Sequence, residues 1–248
     1  MNLKVLTYNI HKGFDWNKKN YFLKDIKNLI KTSQADIVLL QEVVGENSLY
    51  KKKGLIDKQF QFIADSVWPH FSYAKNAVFD HGHHGNLILS HYPIQSWENV
   101  NLSTNKLEQR GMLFCKIQLK EKDQFVYVLC VHLDLLNRGR QKQYSMIKKY
   151  IKNLKIPDNA PLILAGDFND WNKVASRVIE DELKMIEVHK NQHGIYAKTF
   201  PALLPLLSLD RIYVRNIQTV HSYTLPNTTG NHFSDHLPLF CELNLYGK

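Results

Sequence analysis

LILAGDFND, residues 162–170, runs four apolar side chains, Leu162, Ile163, Leu164 and Ala165, through Gly166 into Asp167, Phe168, Asn169 and Asp170. A run this short and this apolar reads as a buried strand rather than a helix. A carboxylate delivered at the end of a core strand is costly to desolvate unless something partners it. The same plan recurs along the chain: LTYNI brings Asn9, DIVLLQEV brings Glu42, VLCVHLD brings His132, SLDRIYV carries Asp210, and FSDHLPL carries Asp235 and His236. An inventory restricted to Asn, Glu, Asp and His is that of a hard-cation site with an acid/base histidine. One such motif carries little weight; the ordered set predicts a hydrolytic site.

The surrounding sequence fits one enzyme-sized domain spanning residues 1–248. At 44% hydrophobic the chain can bury a large core, and its 22% charged residues argue against disorder. The net charge of +9 points to an anionic partner, nucleic acid or an anionic lipid headgroup, although lysine-rich surfaces also serve solubility. Cys115, Cys130 and Cys241 sit in apolar runs without CxxC spacing, which favours neither a disulfide framework nor zinc. No signal peptide or membrane span is read, so a cytoplasmic, monomeric protein without an obligate protein partner is expected.

Residues 2–9, 36–43, 85–91, 162–168, 208–214, 218–225 and 237–245 read as strands, and 110–120 with 124–134 as a hairpin around the turn EKDQ. Residues 17–33 place Phe22, Ile26, Leu29 and Ile30 on one helical face, and 140–155 do the same with Ile147, Tyr150, Ile151 and Leu154. Further helices are expected over 57–68 and near 172–183. Helices on both sides of mainly β material predict a layered α/β domain.

The ordered set Asn9, Glu42, His132, Asp167-Phe168-Asn169, Asp210 and Ser234-Asp235-His236 resembles the endonuclease/exonuclease/phosphatase superfamily over nearly the whole chain. The resemblance implies a four-layer α/β sandwich, two packed mixed β-sheets flanked by helices. It also implies a Mg²⁺ or Mn²⁺ ion held chiefly by Glu42, with Asp235 completing a metal position. In that scheme Asn9 holds metal or scissile phosphate, Asp167 activates the attacking water, and Asn169 donates to phosphoryl oxygen. Asp210 orients His236, which stabilises developing charge, and His132 serves the leaving group or phosphate. His11 departs from the pattern, standing where abasic-site endonucleases often carry an acid. TFPALLPLLSLDRIYV, residues 199–214, resembles a bacterial subgroup of the superfamily.

Some residues admit plainer readings. Asp170, ahead of a helix, reads as a cap. The DHGHHGN tract with His81, His83 and His84 reads as a substrate-side loop rather than a zinc site, because the tetrahedral ligand set is incomplete; Asn86 would line the cleft. Basic and aromatic residues cluster at 11–22, 50–53 and 137–150. Among them Phe14 and Trp16 could stack on bases, and Arg110, Arg138 and Arg140 could bind phosphate, while Lys148, Lys149 and Lys152 read as a solvated helix face. Two substrate classes follow: DNA, favoured by charge, and a phospholipid or inositol-phosphate headgroup, against which no long apolar hairpin or membrane-docking helix is read. A fold retained as a mere binding module conflicts with the intact polar set.

Overall fold

The computed structural model describes residues 1–49, 54–65, 67–105, 109–120, 123–174, 177–225 and 232–245. The strands are β1 (Asn2–Asn9), β2 (Ile37–Asn47), β3 (His70–Phe79), β4 (Gly82–Ser90), β5 (Ile94–Asn101), β6 (Gly111–Gln118), β7 (Phe125–His132), β8 (Leu162–Asp167), β9 (Ile186–Glu187), β10 (Asp210–Arg215), β11 (Gln218–Thr224) and β12 (Leu239–Asn244). The helices are α1 (Leu23–Thr32), α2 (Gln59–Ala64), α3 (Asn137–Asn153) and α4 (Val188–His193). Two six-stranded sheets result, ordered β11-β12-β1-β2-β4-β3 and β5-β6-β7-β8-β10-β9. Each is mixed: β1 with β2, and β7 with β8, are the parallel pairs at their centres.

Burial explains the layering. Val5, Ile37, Leu39 and Ile88 of the first sheet pack against Leu113, Cys115, Val128, Ile163 and Ile212 of the second. The alternate residues of the first sheet, Leu6, Tyr8, Val38 and Leu40, face Ile26 and Ile30 of α1 and Ile63 of α2. Those of the second, Leu129, Val131, Leu162 and Leu164, face Tyr144, Ile147 and Ile151 of α3. The central strands therefore bury both faces, which is why they read as continuous apolar runs. Each fully buried aliphatic side chain contributes about 1.5–3 kcal/mol relative to exposure. The expected four-layer sandwich is the observed fold.

The expected strands and long helices form, with shifted ends. α1 begins at Leu23 rather than 17, and α2 stops at Ala64. β3 and β5 were not foreseen. Near 172–183 a single π-helical turn, Arg177–Glu182, replaces the expected helix, residues 175–176 lying outside the described chain. The basic segment 50–53 and part of the EKDQ turn also lie outside it.

Polar ties join the sheets close to the site. Asn86 Nδ2 donates to Gly111 O at 3.0 Å and to Cys130 O at 3.1 Å, crossing from β4 to β6 and β7. Gln41 Nε2 reaches Thr7 Oγ1 at 3.2 Å and Cys130 Sγ at 3.2 Å. All three cysteines are buried free thiols, and burial pushes Cys130 up to about 12.

Candidate active site

Strand register assembles the site. His132 is opposite Asp167 in the parallel β7–β8 pair, and Asp167 is opposite Asp210 in the antiparallel β8–β10 pair, so the three occupy one rung. Gly166, one residue earlier, has φ 142°, and a Cβ there would lie 2.0 Å from Val131 O, so only glycine allows this approach of β8 to β7. Asn9 ends β1 in the facing sheet, and its Nδ2 donates to Asp167 Oδ2 at 3.1 Å. The same Oδ2 lies 3.5 Å from His132 Nε2 and 3.7 Å from His236 Nε2, while Oδ1 accepts the Asn169 N–H at 2.9 Å. His236 Nδ1 donates to Asp210 Oδ2 at 2.7 Å.

These contacts set the charge states. Burial pushes Asp167 above the usual carboxylate range; His236 pulls it back, and Asp210 adds to the rise. Burial alone would lower His236, but Asp210 and Asp167 outweigh it and keep the ring protonated well above the usual imidazole range. His132 goes the other way. Burial, then the Arg110 charge, drives it well below the usual range, and Arg110 Nη1 lies 3.1 and 2.9 Å from its two ring nitrogens. The site thus holds one imidazolium and one neutral imidazole on either side of a buried carboxylate.

A second centre is built on Glu42. It sits where the β2–β4 register shifts between Leu40 and Val43, with φ 57°. Left-handed backbone at a non-glycine residue inside a bulge is strained, and such strain gathers at functional sites. His11 (φ 44°), Lys12 (φ 59°) and Asn169 (φ 49°) share that conformation around the same site. The Lys12 ammonium is bonded to the Glu42 carboxylate. Burial alone would raise Glu42, but Lys12, with His132 and His84 behind it, holds it well below the usual carboxylate range. His84 is pushed down to about 4 by burial and then by Lys12. In sequence His84 was read only as part of a substrate-side loop and Lys12 only as one of the 11–22 basic cluster; neither was given a place beside Glu42.

Among the described residues, Asp167, Asp210 and His236 are the group of three whose ligand atoms lie within 4.8 Å of one another, close enough to hold a metal. His236 already spans the two carboxylates as a cation, so we read that group as a charge relay around the imidazolium. The Glu42 carboxylate, which already attracts a cation, better fits a hard divalent ion. The 81–84 tract is not the loop expected, because β4 starts at Gly82 and takes in His83 and His84. His83 Nδ1 meets Tyr73 Oη at 3.1 Å, and His81 and His84 both stack on Phe79.

Asp235 lies at the rim, its Oδ1 3.7 Å from His11 Nδ1. Arg138 is exposed in the first turn of α3. Three expectations are corrected. Arg140 does not face the cleft: it is fully buried, with Nη1 donating to Asp134 O and Leu135 O and Nε 3.9 Å from Asp170 Oδ1. Asn86 is buried, its amide spent on the inter-sheet ties rather than lining a cleft. Phe14 is buried against Tyr21, at a centroid distance of 5.0 Å, and offers no face to a base. Asp170 accepts the Val174 N–H at 3.1 Å, as a cap would, and is also buried between Arg140 and Arg211, whose Nη1 is 3.4 Å from Oδ2. Arg211 was overlooked in sequence. Together the two arginines pin the loop that carries Asn169.

The model of the Endonuclease/Exonuclease/phosphatase family matches residues 6–236. The chain belongs to this family. Within it, the chain is 41% identical to Uncharacterized protein YbhP of Escherichia coli (strain K12) over 245 residues, covering 98% of this chain and 96% of that one. It is 24% identical to Sphingomyelinase C of Bacillus cereus over 227 residues, 81% of this chain and 63% of that one. An endonuclease/exonuclease/phosphatase from Beutenbergia cavernae superposes with a TM-score of 0.82 at 19% identity, covering 99% of this chain and 72% of that one. TDP2 of D. rerio, complexed with a single-strand DNA product, superposes at 0.72 with 18% identity, covering 98% and 99%. Membership makes the chain a phosphoester hydrolase by family.

Proposed function

We propose that the protein is a divalent-metal-dependent phosphodiester hydrolase. The observation that carries this reading is the rung of His132, Asp167 and Asp210, with the His236 imidazolium bridging the two carboxylates. Asp167, raised by burial, is a base suited to neutral pH and takes the proton of the attacking water. The Asn169 N–H on Asp167 Oδ1 and the Asn9 amide on Oδ2 fix its orientation. As the water oxygen bonds to phosphorus, the bond to the leaving oxygen breaks; that oxygen takes a proton from solvent to end as an alcohol, and Asp167 returns its proton to solvent. His236 donates to the phosphoryl oxygens as charge builds, and neutral His132, held by Arg110, presents its ring to the leaving-group side. Glu42, with Asp235 at the rim, would hold Mg²⁺ or Mn²⁺, which supplies neutralisation of phosphate charge when bound.

The sequence weighting toward DNA rested partly on Arg140 and Phe14, both of which are internal. A nuclease remains the second reading, supported by the exposed Arg138 at the start of α3 and the net charge of +9. The test is hydrolysis of bis(p-nitrophenyl) phosphate by purified protein with Mg²⁺ or Mn²⁺, before and after EDTA. Metal-dependent turnover supports the reading; no turnover with either metal on this diester, DNA or phospholipid overturns it.

A further inference from the structure

Asn9, His132 and Asp167 end their strands and Asp210 begins its own, so four connecting segments emerge at one edge of the sandwich, around the site. Each exposes large apolar side chains there. Trp16 follows β1, Leu135 and Leu136 follow β7, and Trp171 follows β8. The segment leading into β10 exposes Leu203, Leu204, Leu206 and Leu207. Among the described residues, seven large apolar side chains are at least 60% exposed, and five of them (Trp16, Leu136, Leu203, Leu204 and Leu206) belong to this edge. Exposed apolar patches of this kind mark interaction surfaces.

The patch is continuous with the chemistry. A cavity of about 300 Å³ is walled by Trp16, Phe200, Pro201, Leu203 and Leu204, and Ser234 and Asp235 line its polar side. Phe200 also packs on the His236 ring at a centroid distance of 5.0 Å. An apolar pocket thus shares a wall with the imidazolium that faces Asp167.

Charge identifies the occupant. The same segments carry exposed cations beside the apolar groups: Lys18 and Lys19 after Trp16, Arg138 after Leu136, Lys173 after Trp171, and Lys198 before Phe200. Their acids turn inward, since Asp15, Asp134 and Asp170 are all buried. Exposed apolar residues with exposed cations close by in sequence suit a surface with negative headgroups above hydrocarbon. Six exposed leucines outnumber Trp16 and Trp171, the two rings of this edge that could serve as the stacking platform single-strand binders use.

We propose that this edge docks on an anionic phospholipid bilayer, with the 199–209 segment, Trp16 and Leu136 entering the interface, and that the diester hydrolysed is that of a phospholipid. This rests on the phosphodiesterase reading above and adds its substrate class. The test is sedimentation with vesicles of phosphatidylcholine alone or mixed in equal parts with phosphatidylglycerol, comparing the wild type, the Leu136→Ser/Leu206→Ser double variant and Trp16→Ser. Thermal melts report folding, and phosphorus released from the vesicles reports turnover. Wild type should bind the anionic vesicles and release phosphorylated headgroup from them, and each variant should bind about tenfold or more weakly while melting as wild type. Wild type that ignores the vesicles, or folded variants that bind undiminished, would overturn the proposal. So would a dimer, or affinity for duplex DNA, that the same substitutions abolish while vesicle binding persists. Hydrolysis of bis(p-nitrophenyl) phosphate in solution separates the two readings. Its absence together with that of DNA and phospholipid turnover strikes the phosphodiesterase, whereas its presence without vesicle binding strikes only the docking.

Discussion

Lys12 and Glu42 form an ion pair across two residues that both hold left-handed backbone, one just after the end of β1 and the other in a bulge of β2. Strain of order 1–3 kcal/mol at each such position is sustained only because the surrounding sheet fixes it. The pair places a cation on the carboxylate that we assign to the metal.

Glu42→Gln, which keeps the shape and removes the charge, should lower metal-dependent turnover by about 10²-fold or more and abolish the rise in melting temperature caused by Mn²⁺. Lys12→Met removes the competing ammonium, so Mn²⁺ should raise the melting temperature at lower concentrations than in wild type. Unaltered Mn²⁺ stabilisation in Glu42→Gln would show that the ion is held elsewhere.

Asp167 and His236 should behave as one unit. Asp167→Ala and His236→Ala should each lose about 10³-fold in kcat, and the double variant should lose little more. The measurement is kcat for both single variants and the double; losses that multiply in full would mean independent action.

The two arginines of the first turn of α3 should separate by phenotype. Arg138→Ala should weaken binding of an anionic substrate and flatten its dependence on salt, with the melt unchanged. Arg140→Ala strands Asp170 beside Arg211 alone and should cost about 3–5 kcal/mol, a fall of roughly 6–12 °C in Tm. Equal melts for the two variants would contradict the buried role of Arg140.

Glu187, the cap of α4, accepts the Lys190 N–H at 2.6 Å and is buried, which pushes it to about 7. With its folded value raised, the stability it contributes is complete below about 4.5, its unfolded value, and is lost as pH rises through about 7. Glu187→Gln cannot ionise, so it should gain on wild type by at most about 3 kcal/mol between pH 4 and 9. Denaturant titrations at both ends of that range measure the gain; a constant difference would show that Glu187 does not ionise differently on folding.

The strands around the candidate site were legible because each is buried on both faces and carries a polar residue at one end, as Leu162–Asp167 does. β3 and β5 were not; β5, an outer strand with Trp97 and Glu98 both exposed, has no apolar face to read. Arg138 and Arg140 looked alike in sequence, yet two residues on a helix subtend about 200°, so one faces water and the other the core. Glu42 was singled out by its place in DIVLLQEV. Its partner Lys12 was not, since the turn that brings it back depends on left-handed backbone at His11 and Lys12. The exposed leucines of 199–209 were hidden by their own composition, for an apolar run normally signals core.

The rung shared by His132, Asp167 and Asp210 makes the sheet its own proofreader. Side chains alternate faces along a strand, so slippage of β8 by one residue would turn Asp167 away from both neighbours and bring Gly166 or Phe168 into its place. A preparation misaligned in this way could stay compact and yet be inert. The turnover recovered per mole of refolded protein would therefore count correctly aligned β8 strands.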